Sequence, residues 1–467
     1  MSQEEFDVVV IGAGPAGEVA AGRLAEEGLS VAIVEDRLVG GECSYWACMP
    51  SKALLRPWQA LDEARRLPGA AEAATGELDV PAVLARRDEI IHGLDDSAQL
   101  PWLEDKGIRL FRAHGRLTGE RTVRAGDTVL EAALAVIVAV GSAPDLPDAI
   151  PGLRAARPWT NREVTTAHDV PGRLLVLGGG VVGCEMGQAY ARLGSRVTLV
   201  EMADRLLAKE EPFAAEQVAD GLRASGVELR LSAKTTRVER RDDGGVVLEL
   251  DDGSRLEGDE LLVALGRRPQ TDDLGLESIG LEGGGTIDVD DELAVDGHRW
   301  LRVIGDANGR ALLTHAGKYQ ARVATASILG RPARIRATSD GAQTPRVTFT
   351  EPQVAAVGLT EQAAREAGLD VEVFDTGTSA NAGGSFYGRD APGTSRLVVD
   401  MGREVVVGAT FTGVDVQDFL HAATIAVVGG VPLADLWHGI PAFPTRSEVW
   451  LKFLQGWEAK QRERTAA

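Results

Sequence analysis

A chain of 467 residues has room for about three domains, with cores large enough to need no covalent staples. Its formal net charge of −21 argues against nucleic acid and against an anionic membrane surface as partners, and three cysteines give no basis for a disulfide framework. The N-terminus opens with Glu4, Glu5 and Asp7, and the longest apolar run, Ala132 to Val140, is strand-sized; neither an export signal nor a membrane span is expected, and a cytoplasmic protein is.

In chain order, the first predicted unit is an apolar strand, Asp7 to Ile11, running into Gly12, Gly14 and Gly17 and then into an alanine-rich helix. In such a unit the first glycine makes the tight turn and the second lets backbone approach a pyrophosphate. The third allows helix to pack closely on strand, while the helix N-terminus faces the phosphate charge. A second strand, Ser30 to Glu35, puts Glu35 where an acid binds ribose hydroxyls. Taken alone, the glycines would also suit a turn in an ordinary strand–helix–strand unit.

Residues 40–52 follow, with Gly40 and Gly41 ahead of Cys43 and Cys48, then Pro50, Ser51 and Lys52. An ideal helix holds residues i and i+5 too far apart for a disulfide, so these cysteines can bond only where the chain enters a helix or where the helix is distorted. A helix N-terminus there would also stabilise a thiolate. By spacing alone, two packed apolar cysteines are an equal reading; the surrounding motifs favour a redox pair. Ala132 to Val140 reads as a buried parallel strand, and Pro144, Pro147 and Pro151 then break the chain.

The opening pattern returns at Leu174 to Leu177 with Gly178, Gly180 and Gly183, followed by the strand Val197 to Glu201. A carboxylate at Glu201 accepts from a ribose 2′-OH and repels a 2′-phosphate, which favours NAD(H) over NADP(H). Arg205 is either a solvated charge beside Asp204 or a phosphate clamp, and Cys184 reads as a small packing residue. Residues 337–344 read as a linker; beyond it come alternating strands at Arg396 to Asp400 and Val405 to Phe411, and an apolar helix around Phe419 to Val428.

Both fingerprints, the cysteine loop with its Pro50-Ser51-Lys52 tail, Ala139 to Ser142, Leu262 to Pro269, Val303 to Asp306, Pro345 to Pro352 and Val357 to Glu361 occur in one order. In that set the chain resembles the class I pyridine nucleotide-disulfide oxidoreductases, the family of dihydrolipoyl dehydrogenase, glutathione reductase and mercuric reductase. The resemblance implies an α/β fold of two Rossmann-like dinucleotide-binding domains and a C-terminal α+β interface domain. FAD-binding segments are expected at 1–148 and 270–338, an NAD-binding domain at 149–269, and the interface (dimerisation) domain at 339–467.

It also implies site roles. FAD would lie on Gly12, Gly14, Gly17 and Glu35, with Asp306 on its sugar-alcohol chain and Lys52 near the reactive edge of the ring. Gly41, Gly115, Gly141, Ser142 and His315 join the expected cofactor contacts, while Gly178, Gly180, Gly183, Glu201 and Gly266 serve the nucleotide side. Glu185 would pair with Lys52; its plainer reading is a helix-surface carboxylate. Cys48 would face the flavin and Cys43 the substrate, so that electrons run from NADH to FAD, to the disulfide and to an acceptor. The protein would be a homodimer with an active site shared across subunits, with no resident metal.

The resemblance departs at Phe443. The family has His-Pro-Thr at this point, with a following Glu that orients the imidazole toward the partner's outward cysteine. Pro444, Thr445 and Glu448 match, but a phenyl ring cannot exchange protons, and such help is typically worth 10²–10⁴-fold. His438 and His421 are either replacements or surface residues. Tyr45 and Trp46 either pack the helix or, with Phe443, line an aromatic acceptor pocket. The expected activity is an FAD-dependent NADH oxidoreductase with a small acceptor, a quinone or small disulfide. The alternatives are a dihydrolipoyl dehydrogenase component of a 2-oxo acid dehydrogenase complex and a mercuric-type metal-ion reductase, against which the lack of any cysteine after Cys184 counts.

Overall fold

The computed structural model describes residues 2–388, 391 and 393–466. The chain divides into two compact units. The first comprises Met1–Pro50, Ala85–Asp145 and Gly266–Gly341. Its sheet grows outward from Ser2–Ile11, which pairs in parallel with Val31–Val34 on one side and Thr128–Val138 on the other. Arg109–Phe111 extends one flank and His298–Val303 the other, both in parallel, and the strands Gly115–Gly119 and Thr122–Ala125 attach as an antiparallel hairpin.

Val8, Val9, Val10 and Ile11 are all buried, because the sheet is covered on both faces; such strands read as continuous apolar runs without alternation. On one face lie helices Pro15–Glu26 and Thr314–Ile328, through Ala20, Ala21, Leu24, Ala321 and Ala324. Of the apolar run Ala132 to Val140, the residues up to Val138 form the later part of the strand Thr128–Val138, with Ala133 and Leu134 exposed. Polar residues at the start of Ser2–Ile11 are held by ladder partners in the strand Thr128–Val138, Gln3 opposite Val129 and Glu5 opposite Glu131, which no local apolar pattern announces.

The second unit comprises Ser51–Leu84, Leu146–Leu265 and Ala342–Ala467. A four-stranded parallel sheet orders Glu228–Arg230, Arg196–Val200, Arg173–Leu177 and Glu260–Val263. Leu54, Leu55 and Trp58 of helix Cys48–Arg66 join its core with Leu174, Val176 and Tyr190. A five-stranded antiparallel sheet follows, in which Thr394–Asp400 pairs with Val405–Gly413 and Leu397 lies opposite Ala409. Helices Leu420–Gly429 and Val449–Ala466 close over it through Phe411, Ala423 and Phe453. Among the described residues, no helix is long and apolar enough to cross a membrane.

Candidate active site

Each glycine loop is a rigid device. Strand Ser2–Ile11 ends at Gly12, whose φ of +103° only glycine adopts readily, and a Cβ there would lie 2.4 Å from the Ala139 carbonyl oxygen. Gly14 caps helix Pro15–Glu26 without any side-chain cap, so the first N–H groups of that helix keep their capacity for an anion; Gly17, in its first turn, packs on the Gly12 peptide. Glu35 accepts from the N–H of Ala13 at 2.8 Å and of Arg37 at 2.9 Å, and burial raises its pKa above the ordinary carboxylate range. Gly41 approaches Gly14 so closely that a Cβ on it would sit 2.7 Å from the Gly14 Cα.

The rest of the first unit's set is spread around this loop. Ser142 donates to Asp306, and Arg267 donates to Ser142 Oγ at 2.7 Å; burial raises the Asp306 carboxyl. Gly115 is a packing position, since a Cβ there would strike Ile11 at 2.7 Å, whereas Gly141 and Gly266 have nothing within 4 Å. His315 lies exposed in the first turn of helix Thr314–Ile328.

The second unit repeats the device. Gly178 has φ +109°, with the Ala264 carbonyl oxygen 2.5 Å from where a Cβ would be; Gly180 is the uncapped N-cap of helix Val181–Arg192, and Gly183 packs on the Gly178 peptide. Glu201 accepts from the N–H of Gly179 at 2.6 Å and of Ala203 at 2.7 Å. Arg205 donates to the Ala208 carbonyl at 3.0 Å. Cys184 is fully buried, its thiol donating to the Gly179 carbonyl at 3.3 Å, and burial raises its pKa. Glu35 and Glu201 each keep lone pairs beyond these bonds, and both helix N-termini lack a side-chain cap, so the residues present fit two dinucleotides.

At the cysteines the helix is broken. Cys43 lies in the short helix Gly41–Tyr45, Trp46 leaves helical geometry with φ −135° and ψ 6°, and Cys48 opens the next helix. The break brings the two thiols into hydrogen-bonding contact. That bond to Cys48, together with burial, holds the Cys43 thiol well above its ordinary pKa, because loss of the proton would set an anion beside a second sulfur. Thr314 Oγ1 lies 3.5 Å from Cys48 Sγ. Tyr45 is buried against Trp46, which is a packing role.

In the second turn of helix Cys48–Arg66, Lys52 Nζ donates to Glu185 Oε2 at 2.8 Å and lies 4.5 Å from the Phe349 ring centroid. Glu185 is buried, and its other oxygen accepts from the Phe349 N–H at 2.9 Å. Near the C-terminus Phe443 is 77 % exposed, and Glu448 Oε2 is buried with no hydrogen-bond partner among the described residues. His438 stands edge-on to Trp437, and His421 is exposed on helix Leu420–Gly429. Sequence reasoning passed over Thr314 and Glu18. For Glu18 no local signal existed, since an acidic residue in the first turn of a helix is ordinarily favoured by the helix dipole.

Comparison with known proteins fits this geometry. Residues 6–325 match the family model described as pyridine nucleotide-disulphide oxidoreductase, and residues 344–453 match its dimerisation domain. A dihydrolipoyl dehydrogenase of Thermus scotoductus is 34 % identical over 451 residues, covering 95 % of each chain. A mercuric reductase of Lysinibacillus sphaericus is 29 % identical over 96 % of this chain and 82 % of its own. Among solved structures, the Cu(II) complex of the HOCl-induced flavoprotein disulfide reductase RclA from Escherichia coli superposes with a TM-score of 0.83 at 25 % identity, over 97 % of this chain and 99 % of its own. LpdA from Mycobacterium tuberculosis, at 24 % identity and a TM-score of 0.85, shares the fold over 98 % of this chain and 100 % of its own.

Proposed function

Because the chain belongs to the pyridine nucleotide-disulphide oxidoreductase family, we propose that it is an NADH oxidoreductase whose electron route runs through FAD and the Cys43/Cys48 pair to a small acceptor. As a member it is an FAD-dependent oxidoreductase that works with a pyridine nucleotide. The observation that carries the reading is the thiol contact across the helix break at Trp46, an arrangement that serves disulfide exchange and that simple packing does not require. When bound, the flavin supplies two-electron chemistry between the reduced nicotinamide and the cysteine disulfide. In the reduced pair, Cys43 and Cys48 hold two electrons and two protons as thiols; passing both to the acceptor re-forms the S–S bond and leaves the acceptor in its dihydro form.

Lys52, fixed by Glu185 and the Phe349 ring, is placed in this reading to hold positive charge at the flavin. FAD is assigned to residues 1–148 and 270–338 and NADH to 149–269, with Glu201 discriminating against a 2′-phosphate. Residues 339–467 are assigned to the homodimer; Ile425, Trp437, Ile440 and Phe443 expose apolar surface of the kind a second copy covers.

Phe443 is read as standing at the family's histidine position. The unpartnered Glu448 oxygen supports this, since it is what remains when an imidazole that the carboxylate would orient is replaced by a phenyl ring. Acceptors that need no such proton relay, quinones or easily cleaved disulfides, are therefore favoured. The family's metal chemistry is the second reading, motivated by the mercuric reductases and by the Cu(II) complex of the E. coli relative.

An acceptor screen on the purified holoenzyme tests these readings, with quinones, low-molecular-weight disulfides, dihydrolipoamide with NAD, Hg(II) and Cu(II). Dihydrolipoamide turnover should be weaker than in histidine-containing relatives by roughly 10²–10⁴-fold, and Phe443→His should recover part of it. Wild-type dihydrolipoamide turnover equal to that of ordinary relatives would refute the missing-base reading.

A further inference from the structure

Two carboxylates flank the entrance of helix Pro15–Glu26, and one guanidinium, which has no role in the route proposed above, reaches both. Glu42 follows Gly41, the residue packed on Gly14, and precedes Cys43. Asp306 follows Gly305, where a Cβ would lie 3.7 Å from the Ala16 Cβ in the first turn of that helix. The turn that carries Asp306 is held by the buried Gln320, whose Oε1 accepts from the Gly305 N–H at 2.7 Å and from Asn308 Nδ2 at 2.9 Å. Arg267 is fixed as firmly. Its strand, Arg267–Pro269, pairs antiparallel with Ser142–Pro144, while its Nε donates to Ser142 Oγ at 2.7 Å and its Nη2 to the Ser142 carbonyl at 2.6 Å. Ser142 Oγ in turn donates to Asp306. Arg267 Nη2 also lies 3.6 Å from Glu42 Oε2, and both side chains are largely buried.

We propose that Arg267 is a positioning residue for the dinucleotide of the first unit, neutralising Glu42 and, through Ser142, holding Asp306, so that the loop accepts an anionic diphosphate. The proposal rests on the assignment of FAD to this unit. A helix N-terminus supplies about half a positive charge, which two neighbouring carboxylates cancel unless a cation offsets them. The same groups act on the Asp306 carboxyl: burial raises it, Ser142 and Arg267 pull it down, and Glu42 pushes it up. Loss of one member of a largely buried ion pair leaves the other charge uncompensated and costs far more than loss of both. Removal of Arg267 alone should therefore expel flavin, and removal of Glu42 with it should restore much of the binding. A guanidinium that merely pinned the two strands together would give no such rescue, because Glu42 takes no part in that ladder.

The test is the rate of flavin release from the purified holoenzyme, followed by the fluorescence of free flavin after dilution. Arg267→Gln should speed release about ten- to a hundredfold, and Glu42→Gln added to it should recover about tenfold. Arg267→Lys, which keeps the charge and loses the paired contacts with Ser142, should fall between Arg267→Gln and wild type. Glu42→Gln alone leaves the Arg267 bonds to Ser142 in place and should slow release about two- to threefold. That variant carries the test where Arg267→Gln does not fold. Release from Arg267→Gln at the wild-type rate, no recovery in the double variant, or release from Glu42→Gln as fast as from wild type or faster overturns this proposal alone. Wild-type protein that takes up no FAD overturns the cofactor assignment, and this proposal with it.

Discussion

At the first glycine loop a second backbone segment closes in, whereas the second loop stands open. Gly41 sits against Gly14, so the entrance of helix Pro15–Glu26 is walled by the loop that leads to Cys43; a Cβ on Gly180 would meet none of the described atoms within 4 Å, and Val181 and Val182 are exposed. The inner machinery is nonetheless the same. Each first glycine turns at positive φ against a facing carbonyl, and each strand-end glutamate ties the residue after that glycine to the residue two past itself. One loop geometry is thus used twice, and in the proposed assignment its surroundings differentiate it: an enclosed loop suits a resident cofactor, and an open one suits a nucleotide that exchanges.

The largest effect should come from filling the two turns. Gly12→Ala and Gly178→Ala each drive a methyl group into backbone, at 2.4 Å and 2.5 Å. Gly12→Ala should purify with little flavin, while Gly178→Ala should keep its flavin and raise KM for NADH by about ten- to a hundredfold, that is about 1.4–2.8 kcal/mol. Flavin absorbance per chain and NADH kinetics separate the two; flavin loss from Gly178→Ala with retention in Gly12→Ala would reverse the assignment.

A smaller effect is expected at the glutamates. Wild type should prefer NADH over NADPH by about tenfold in kcat/KM, and Glu201→Arg should narrow or reverse that preference. Glu35→Gln should weaken flavin retention and leave nucleotide preference alone. Equal efficiencies with NADH and NADPH in wild type would remove Glu201 from the discrimination.

The loops were legible in the sequence because their causes are local. A glycine forced to positive φ, a second one capping the helix and a third under the first peptide recur at fixed spacing, and the i, i+5 placement of Cys43 and Cys48 allows a bond only at a helix entrance or a distorted helix; the helix breaks at Trp46. Less local features were not legible. The strand Ser2–Ile11 begins in Ser2, Gln3, Glu4 and Glu5, which look like a solvated tail and are strand only because Thr128–Val138 pairs with them. The contact of Lys52 with Glu185 joins residues 133 apart and could be named only through family resemblance. Nothing in either local sequence announces the seam of helices Pro15–Glu26 and Thr314–Ile328, which depends on Ala16 and Gly317 meeting in three dimensions.

The smallest effect concerns Glu18, the charge that the first loop carries and the second lacks. Its carboxyl titrates at about 7 in the folded chain against an ordinary 4.5, so between those values the folded state binds the proton more tightly than the unfolded one. Stability therefore falls as pH rises through that window and levels off above it. Glu18→Gln should raise Tm on the alkaline side, by the equivalent of about 1–2 kcal/mol, and change little below pH 4.5. A Tm shift of equal size on both sides would assign the effect to packing.

Reductive titration of the purified flavoprotein with dithionite under anaerobic conditions tests the central claim, that Cys43 and Cys48 form a redox pair in series with the flavin. Wild type should take up two electron pairs per bound flavin, and Cys43→Ser and Cys48→Ser one each. Uptake of a single electron pair per flavin by all three proteins would contradict the account.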